Sequence, residues 1–205
     1  MNRSLKSILK KAINLFNNIR FRNKLTIVGK VDFGYTSKIL LSHGSTKKDI
    51  VIKNRGRMYA TLVSKFGGKI IFEENVKIGY GSIIACISTI RIGKGTAIAH
   101  NVTIIDNNNH PTHPEDRKMM YNAPWDSPLR NWNYSSSAPI KIGENVWVGT
   151  GSRLHKGITV GDNSIIAANA MVTKDVPENC IVAGNPAKVV KVNIQNEPRL
   201  IPDNE

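Results

Sequence analysis

The amino-acid sequence predicts an all-β solenoid, and two periodic runs and the break between them carry that prediction. From Ile142 an aliphatic residue falls at every sixth position, at Ile142, Val148, Leu154, Val160, Ile166 and Val172, usually followed by a small residue such as Gly143, Gly149, Gly161 or Ala167. The same rhythm runs through Phe66, Phe72, Ile78, Ile84 and Ile90, shifts by two residues, and resumes at Ile92, Ile98 and Ile104. Between Ile104 and Ile142 it stops. A period of six fits neither the 3.6 of a helix nor the 2 of a strand. Six residues make one short strand and a tight turn, three such units close a triangular coil, and stacked coils bury the aliphatic positions along their axis. Small residues at the corners let the chain turn without a side-chain clash. The rhythm divides the chain into a basic helix at 1–24, a solenoid at 25–190 with a long protruding loop at 105–140, and a tail at 191–205.

The first segment is the most cationic. Eight bases (Arg3, Lys6, Lys10, Lys11, Arg20, Arg22, Lys24, Lys30) precede the first acid, Asp32, and supply more than half of the net charge of +14. Leu5, Ile8, Leu9, Ile13, Leu15, Phe16 and Ile19 recur mainly at spacings of three and four, which predicts an amphipathic helix. Its apolar face is expected to pack on its own domain or a neighbouring subunit, or to lie on an anionic bilayer.

With 205 residues, 40% of them hydrophobic, the chain can bury one domain core. A strong positive charge calls for anionic company, be it nucleic acid, a membrane surface or a phosphorylated small molecule. Only 6% of residues are aromatic, too few for a base-stacking surface, and no zinc-finger, RNA-recognition or homeodomain signature is present, so nucleic acid is not expected as a partner. Cys86 and Cys180 stand far apart with no CxxC pair or signal-peptide pattern, and read as reduced core residues of a cytoplasmic protein. No stretch approaches the roughly 18 apolar residues of a transmembrane helix.

The interruption, DNNNHPTHPEDRKMMYNAPWDSPLRNWNYSSSAP, holds two of the five histidines and two of the three tryptophans. A long break in a regular solenoid is usually functional. His100, His155 and His43 read as corner or contextless residues, and the spacing of His100, His110 and His113 does not suit a three-histidine zinc site, so no metal is expected.

The block from Ile140 to Lys191, with IKIGENVWVGTG, GITVGDNSIIAANAMVTKDVP and AGNPAKVVK, resembles the closing coils of the maltose, galactoside and polysaccharide O-acetyltransferases, members of the left-handed parallel β-helix acyltransferase family. The resemblance covers residues 66–191. It implies a homotrimer with active sites between subunits, acetyl-coenzyme A as acyl donor, and direct transfer to a sugar hydroxyl. His110-Pro111 stands where the family has its His-Pro, in a loop one residue longer than in galactoside acetyltransferases. His110 is thus the expected general base, since an imidazole can take the proton the hydroxyl loses as it attacks. His113 is the competitor; Asp106, Glu115 or a backbone carbonyl would hold the imidazole tautomer.

By the same carry-over, the oxyanion donor would be a backbone N–H at Gly149 or Thr150, and pantetheine would bond the backbone at Thr150 and Ala168. Trp147 would line the acceptor or thioester site, or simply pack. Thr173, Lys174, Lys188 and Lys191 match polar or basic positions near the cofactor phosphates, the last two replacing arginines of galactoside acetyltransferases; lysine still pairs with phosphate, as a point charge. Their alternative is solvated surface. Trp125 and Trp132 would stack on a sugar ring or pack against a neighbouring subunit.

Ile87 stands where galactoside and maltose acetyltransferases have an aspartate, which argues against a free disaccharide acceptor. The implied function is O-acetylation of a nucleotide- or lipid-linked sugar in surface polysaccharide (capsule or O-antigen) synthesis, at the inner face of the membrane if the helix docks there. An amino-sugar N-acetyltransferase is the rival within enzymes, and a non-catalytic scaffold or sugar-binding module is the rival outside them.

Overall fold

The computed structural model describes residues 3–202, with residues 3–6 and 10 described by backbone alone. The side chains of Arg3, Leu5, Lys6 and Lys10 in the expected helix, its first two residues, and the last three of the expected tail lie outside the described residues. A helix, α1 (Arg3–Phe21), precedes six stacked coils, each of three strands. Coil one is β1 (Thr26–Ile27), β2 (Val31–Phe33) and β3 (Lys38–Ser42); coil two is β4 (Ile50–Ile52), β5 (Gly56–Met58) and β6 (Thr61–Lys65). Coil three is β7 (Lys69–Phe72), β8 (Lys77–Ile78) and β9 (Ile83–Cys86); coil four is β10 (Thr89–Ile92), β11 (Ala97–Ile98) and β12 (Thr103–Ile105). The loop, carrying α2 (Pro114–Asn122), leads to coil five, β13 (Ile140–Ile142), β14 (Trp147–Val148) and β15 (Arg153–Leu154), and coil six, β16 (Thr159–Val160), β17 (Ile165–Ile166) and β18 (Met171–Val172). A part-coil ends in β19 (Ile181–Ala183) and β20 (Lys188–Lys191).

First, second and third strands stack into three parallel sheets, here faces A, B and C of a left-handed β-helix. The one exception is β20, which turns back antiparallel on β19 at the end of face B. Stacking puts like residues in line: Ile92, Ile142 and Val160 on face A, Ile98, Val148 and Ile166 on face B, Ile104, Leu154 and Val172 on face C, all buried. This axial column of aliphatic side chains is the core, as the period predicts.

Two parts of the sequence reading change. Phe66 is not an axial residue: it sits half-buried in a turn at φ 55°, its ring 4.6 Å from that of His43, and the axial position goes to Leu62. The two-residue shift at Ile90 reflects a longer C–A turn, after which Ile90 and Ile92 both point inward from β10. The small residue after each aliphatic has a different purpose from turning. Gly149 has no positive φ; instead a Cβ there would lie 2.5 Å from Ala168 N and 2.8 Å from Ile166 O in the next coil. The turning is done two residues further on, at the left-handed positions Asn145, Asn163 and Asn179 (φ 53–59°), whose side chains join in a ladder, Asn145 Nδ2 to Asn163 Oδ1 at 3.0 Å and Asn163 Nδ2 to Asn179 Oδ1 at 3.1 Å.

α1 meets the first coil with its polar side. Asn14 Oδ1 accepts from Phe33 N (2.9 Å), Asn17 Nδ2 donates to Gly34 O (2.9 Å), and Phe21 closes the contact edge-on to Phe33. Ile8, Leu15, Phe16 and Ile19 face away from the domain, 57–65% exposed. Packing of the apolar face on its own domain, one of the expectations, is therefore ruled out: the polar asparagines occupy that contact.

Candidate active site

The loop leaves β12 and rejoins β13, so it springs from the C–A edge of the prism. Its stem is zipped shut: Asn107 bridges Ser137, Asn108 N donates to Ser136 O (3.0 Å) and Ala138 N to Asp106 O (2.9 Å). Asn107 Oδ1 accepts from Asn109 N (2.8 Å), and Asn109 turns at φ 62°, which presents His110 at the loop's bend. The exposed imidazole has its Nδ1 3.4 Å from Met120 Sδ on α2. A thioether accepts only weakly. With the proton on Nδ1 facing this sulfur, Nε2 is the basic nitrogen, and it has no hydrogen-bond partner among the described residues.

Asp106 does not orient that ring. It is fully buried, and its carboxylate points back into coil three, accepting from Ser88 N (2.8 Å), Ile87 N (3.0 Å), Cys86 Sγ (3.0 Å) and Asn107 Nδ2 (3.2 Å). Asp106 thus pins the wide C–A turn and anchors the loop stem, and none of its bonds goes to His110, so it does not hold that ring's tautomer. Burial, with the Asp106 charge behind it, pushes the Cys86 thiol far above its ordinary pKa, and burial also raises Cys180; both are free thiols of the core. Glu115 pairs with Lys118 on α2 (3.9 Å) and does not bond His110. His113 is the N-cap of α2, its Nδ1 accepting from Glu115 N at 3.3 Å, which engages it structurally.

The other site residues lie elsewhere. Trp147 projects, 55% exposed, from face B, the face opposite the C–A edge. Thr150 and Ala168 occupy successive coils at the B–C edge. Gly149 N–H is spent on Ile166 O at 2.7 Å, which removes it as an oxyanion donor, whereas the N–H groups of Thr150 and Ala168 have no acceptor among the described residues. Thr173 and Lys174 follow β18 at the C–A edge. Lys188 and Lys191 sit near opposite ends of β20, opposite Ala183 and Ile181, and Lys191 is held by Glu197 at 2.7 Å. One chain therefore does not bring His110 together with Trp147 and Thr150, and its four candidate phosphate ligands do not converge.

The loop tryptophans also differ. Trp125 is 88% exposed with Arg130 beside it (5.2 Å), while half-buried Trp132 has Lys65 Nζ 4.1 Å over its ring and is committed within the chain. Two features escaped the sequence reading. Pro111, Met119, Met120, Leu129 and Tyr134, with Asp116, line a mainly apolar cavity of about 250 Å³ within the loop. His155, read as a corner residue, lines a polar cavity of about 220 Å³ with Arg153 and Asn107–Asn109. The triple-asparagine run was the available signal for the second; nothing local marks the first. Among the described residues no group of three or more potential ligands could hold a metal ion.

Six coils, three faces and one long loop give the molecule the architecture of a left-handed β-helix, and its similarities to known proteins agree with that architecture. Residues 139–174 match the family described as bacterial transferase hexapeptide (six repeats). The chain is 37% identical over 128 residues to the galactoside O-acetyltransferase of Escherichia coli K12, covering 62% of this chain and 55% of that protein. It is 34% identical over 124 residues to a putative lipopolysaccharide biosynthesis O-acetyl transferase, WbbJ, of the same organism, covering 60% and 61%. The crystal structure of the polySia specific acetyltransferase NeuO superposes with a TM-score of 0.59 at 25% identity, covering 83% of both chains. The chain thus spans a little over half the length of the two curated relatives. The resemblance to the maltose, galactoside and polysaccharide O-acetyltransferase group and the left-handed parallel β-helix are both established.

Proposed function

We propose that this protein is an acetyl-coenzyme A dependent O-acetyltransferase that acylates a sugar hydroxyl in surface polysaccharide synthesis. The observation that carries the reading is the exposed His110 at the bend of the zipped loop, with a weak partner on Nδ1 and Nε2 open. Nε2 takes the hydroxyl proton as the sugar oxygen attacks the thioester carbonyl; the Thr150 N–H stabilises the oxyanion; collapse expels the coenzyme A thiolate, which recovers the proton from His110. Pantetheine runs along the B–C edge past Thr150 and Ala168, with Trp147 beside the reacting groups and Lys188, at the end of face B, as that chain's phosphate ligand, while Thr173 and Lys174, at the C–A edge, serve the cofactor of a neighbouring subunit.

Because His110 and Trp147 stand on opposite sides of one prism, the reading requires a second copy, and a homotrimer supplies it in closed form. The exposed Met119, Tyr121 and Trp125 give the loop an apolar surface for that neighbour. The outward apolar face of α1, flanked by Lys11 and Arg20, suits an anionic bilayer at the inner face of the membrane. No helix among the described residues is long and apolar enough to cross a membrane.

The test is transfer of labelled acetyl from acetyl-coenzyme A to saccharide acceptors, with base-labile product marking an ester and base-stable product the rival amide. His110→Ala is expected to lower transfer by about 10²–10⁴-fold with the fold intact. Near wild-type transfer would remove His110 as the base, and failure of acetyl-coenzyme A to raise Tm would favour a non-catalytic module.

A further inference from the structure

Face B of the first coils carries a charge pattern that the acyl-transfer machinery does not use. Lys30, Arg55, Arg57 and Lys77 surround a cavity of about 320 Å³ with Asn75 and a single acid, Asp32. Asp32 is engaged by Asn14 Nδ2 at 3.2 Å, and Arg55 reaches Glu74 only at 4.0 Å. Lys30, Arg57 and Lys77 have no carboxylate within 4.0 Å among the described residues. Arg57 and Lys77 are direct neighbours across β5 and β8, so two like charges are held side by side, and Asp32, in register with Arg57 on β2, is the one carboxylate lining the cavity they share. Such pairing costs stability in a sheet and is relieved by a bound anion.

The same two cations border a second groove, about 250 Å³, that runs to the B–C edge. Its far wall is a stack of rings on successive coils: Tyr59 on Tyr80 at 4.6 Å and 25°, and Tyr80 on His100 at 6.0 Å and 3°. His100 is fixed in that plane by accepting from Tyr80 N through Nδ1 at 3.0 Å. Gly79 and Ala99 keep the floor low. Arg57 and Tyr80 line this groove together, and burial, with the phenols of Tyr59 and Tyr35, raises the Tyr80 pKa while Arg57 opposes them.

Cations on one side and flat rings on the other form a surface for a sugar that carries negative charge. Down the same face, Arg57, Lys77, Ala97 and Trp147 stand in one column. Three coil spacings, roughly 14 Å, separate Arg57 from Trp147.

We propose that face B of coils two to four is the acceptor platform for an anionic saccharide, whose phosphate or carboxylate sits among Lys30, Arg55, Arg57 and Lys77 and whose ring lies against Tyr59, Tyr80 and His100. This rests on the reading of the acceptor as a sugar. It adds that the acceptor is charged and that it approaches Trp147 from the α1 end of the solenoid. His100, a corner residue by sequence, becomes part of the wall.

Calorimetric titration of the full chain with UDP-glucose, trigalacturonate and neutral maltotriose tests it. At least one charged probe is expected to bind tenfold or more tightly than maltotriose, with the responding probe showing whether phosphate or carboxylate is preferred. Arg57→Gln/Lys77→Gln should weaken that binding at least tenfold, and Tyr80→Ala should weaken it by a smaller factor. Acetyl-coenzyme A binding should stay at the wild-type level in both variants, which also reports that they are folded. Equal affinity for charged and neutral probes, no binding of any probe, or a double variant that binds as wild type overturns the platform. Absence of acetyl-coenzyme A binding in the wild type, with charged-sugar binding retained, would instead overturn the acyl-transfer reading alone.

Discussion

Coils five and six and coils one to four are built on the same plan to different tolerances. In the later pair the register is regular: Ile142 pairs with Val160, Val148 with Ile166 and Leu154 with Val172, each 18 residues on. The earlier coils vary, with Phe33 pairing with Met58 and Leu62 with Ile84 across longer turns. Regular coils carry the asparagine ladder; irregular ones carry the tyrosine stack, the cations around the face B cavity and the wide turn that Asp106 pins; the glycine close approach recurs in both, at Gly149 and at Gly79, whose Cβ would lie 2.8 Å from Ala99 C. A solenoid adds coils at nearly constant cost, so one part can be spent on rigidity while another diversifies its turns.

The most severe test joins the loop of one chain to face B of another. His110→Ala and Trp147→Ala proteins, each inactive alone, should regain about one quarter of wild-type activity per site when co-assembled at equal ratio, because a trimer with sites between subunits recovers sites with both native residues. No recovery would place the site within one chain. Next is the wide turn. Asp106→Ala should lower stability by about 1–3 kcal/mol in denaturant unfolding, since it strands two half-buried backbone donors, Ile87 N and Ser88 N, and loosens the loop stem. Unchanged stability with lost activity would return Asp106 to a role beside His110.

In the regular coils, Gly149→Ala should cost about 1–3 kcal/mol, read as a lower Tm, because the added methyl meets backbone that cannot yield. On the irregular face, Arg57→Ala should change stability by no more than about 0.5 kcal/mol while weakening charged-sugar binding, which separates recognition from folding. The smallest effect is on the thiols. With the Cys86 and Cys180 pKa values raised by burial, both stay protonated at pH 8, and a thiol reagent should label neither in the native protein and both after denaturation.

The regular coils were the legible ones. Six aliphatics in phase from Ile142 to Val172 leave no other architecture, and a repeat that copies itself carries its own register. Phe66 misled because an aromatic residue fell on the count while the turn from Leu62 to Phe72 spans ten positions instead of six, four additional residues, and counting cannot see turn length. Gly149 was found for an incomplete reason: its constraint is Ala168 in the next coil, a contact invisible from neighbours in the chain. The loop that carries His110 was legible as a break in the rhythm, yet the engagement of Asp106 at its stem was not, because its partners Ile87 and Ser88 lie a coil earlier. The orientation of α1 was hidden for the same kind of reason. Periodicity located the apolar arc, but the choice of the asparagine side for docking depended on Phe33 and Gly34, whose exposed peptide groups only the folded first coil presents.

Those two asparagines have a consequence for the ends of the solenoid. A stack of parallel strands stops with rows of unpaired peptide groups, the template on which another chain can add and then another. At one end Asn14 and Asn17 of α1 stand in for the strand that would have preceded β2, satisfying Phe33 N and Gly34 O with side-chain amides. At the other, β20 lies antiparallel on β19, out of step with the parallel ladder that a further coil would extend. On face B the protein thereby guards itself against growing end to end into a fibre, and loss of α1 is a route to polymerisation.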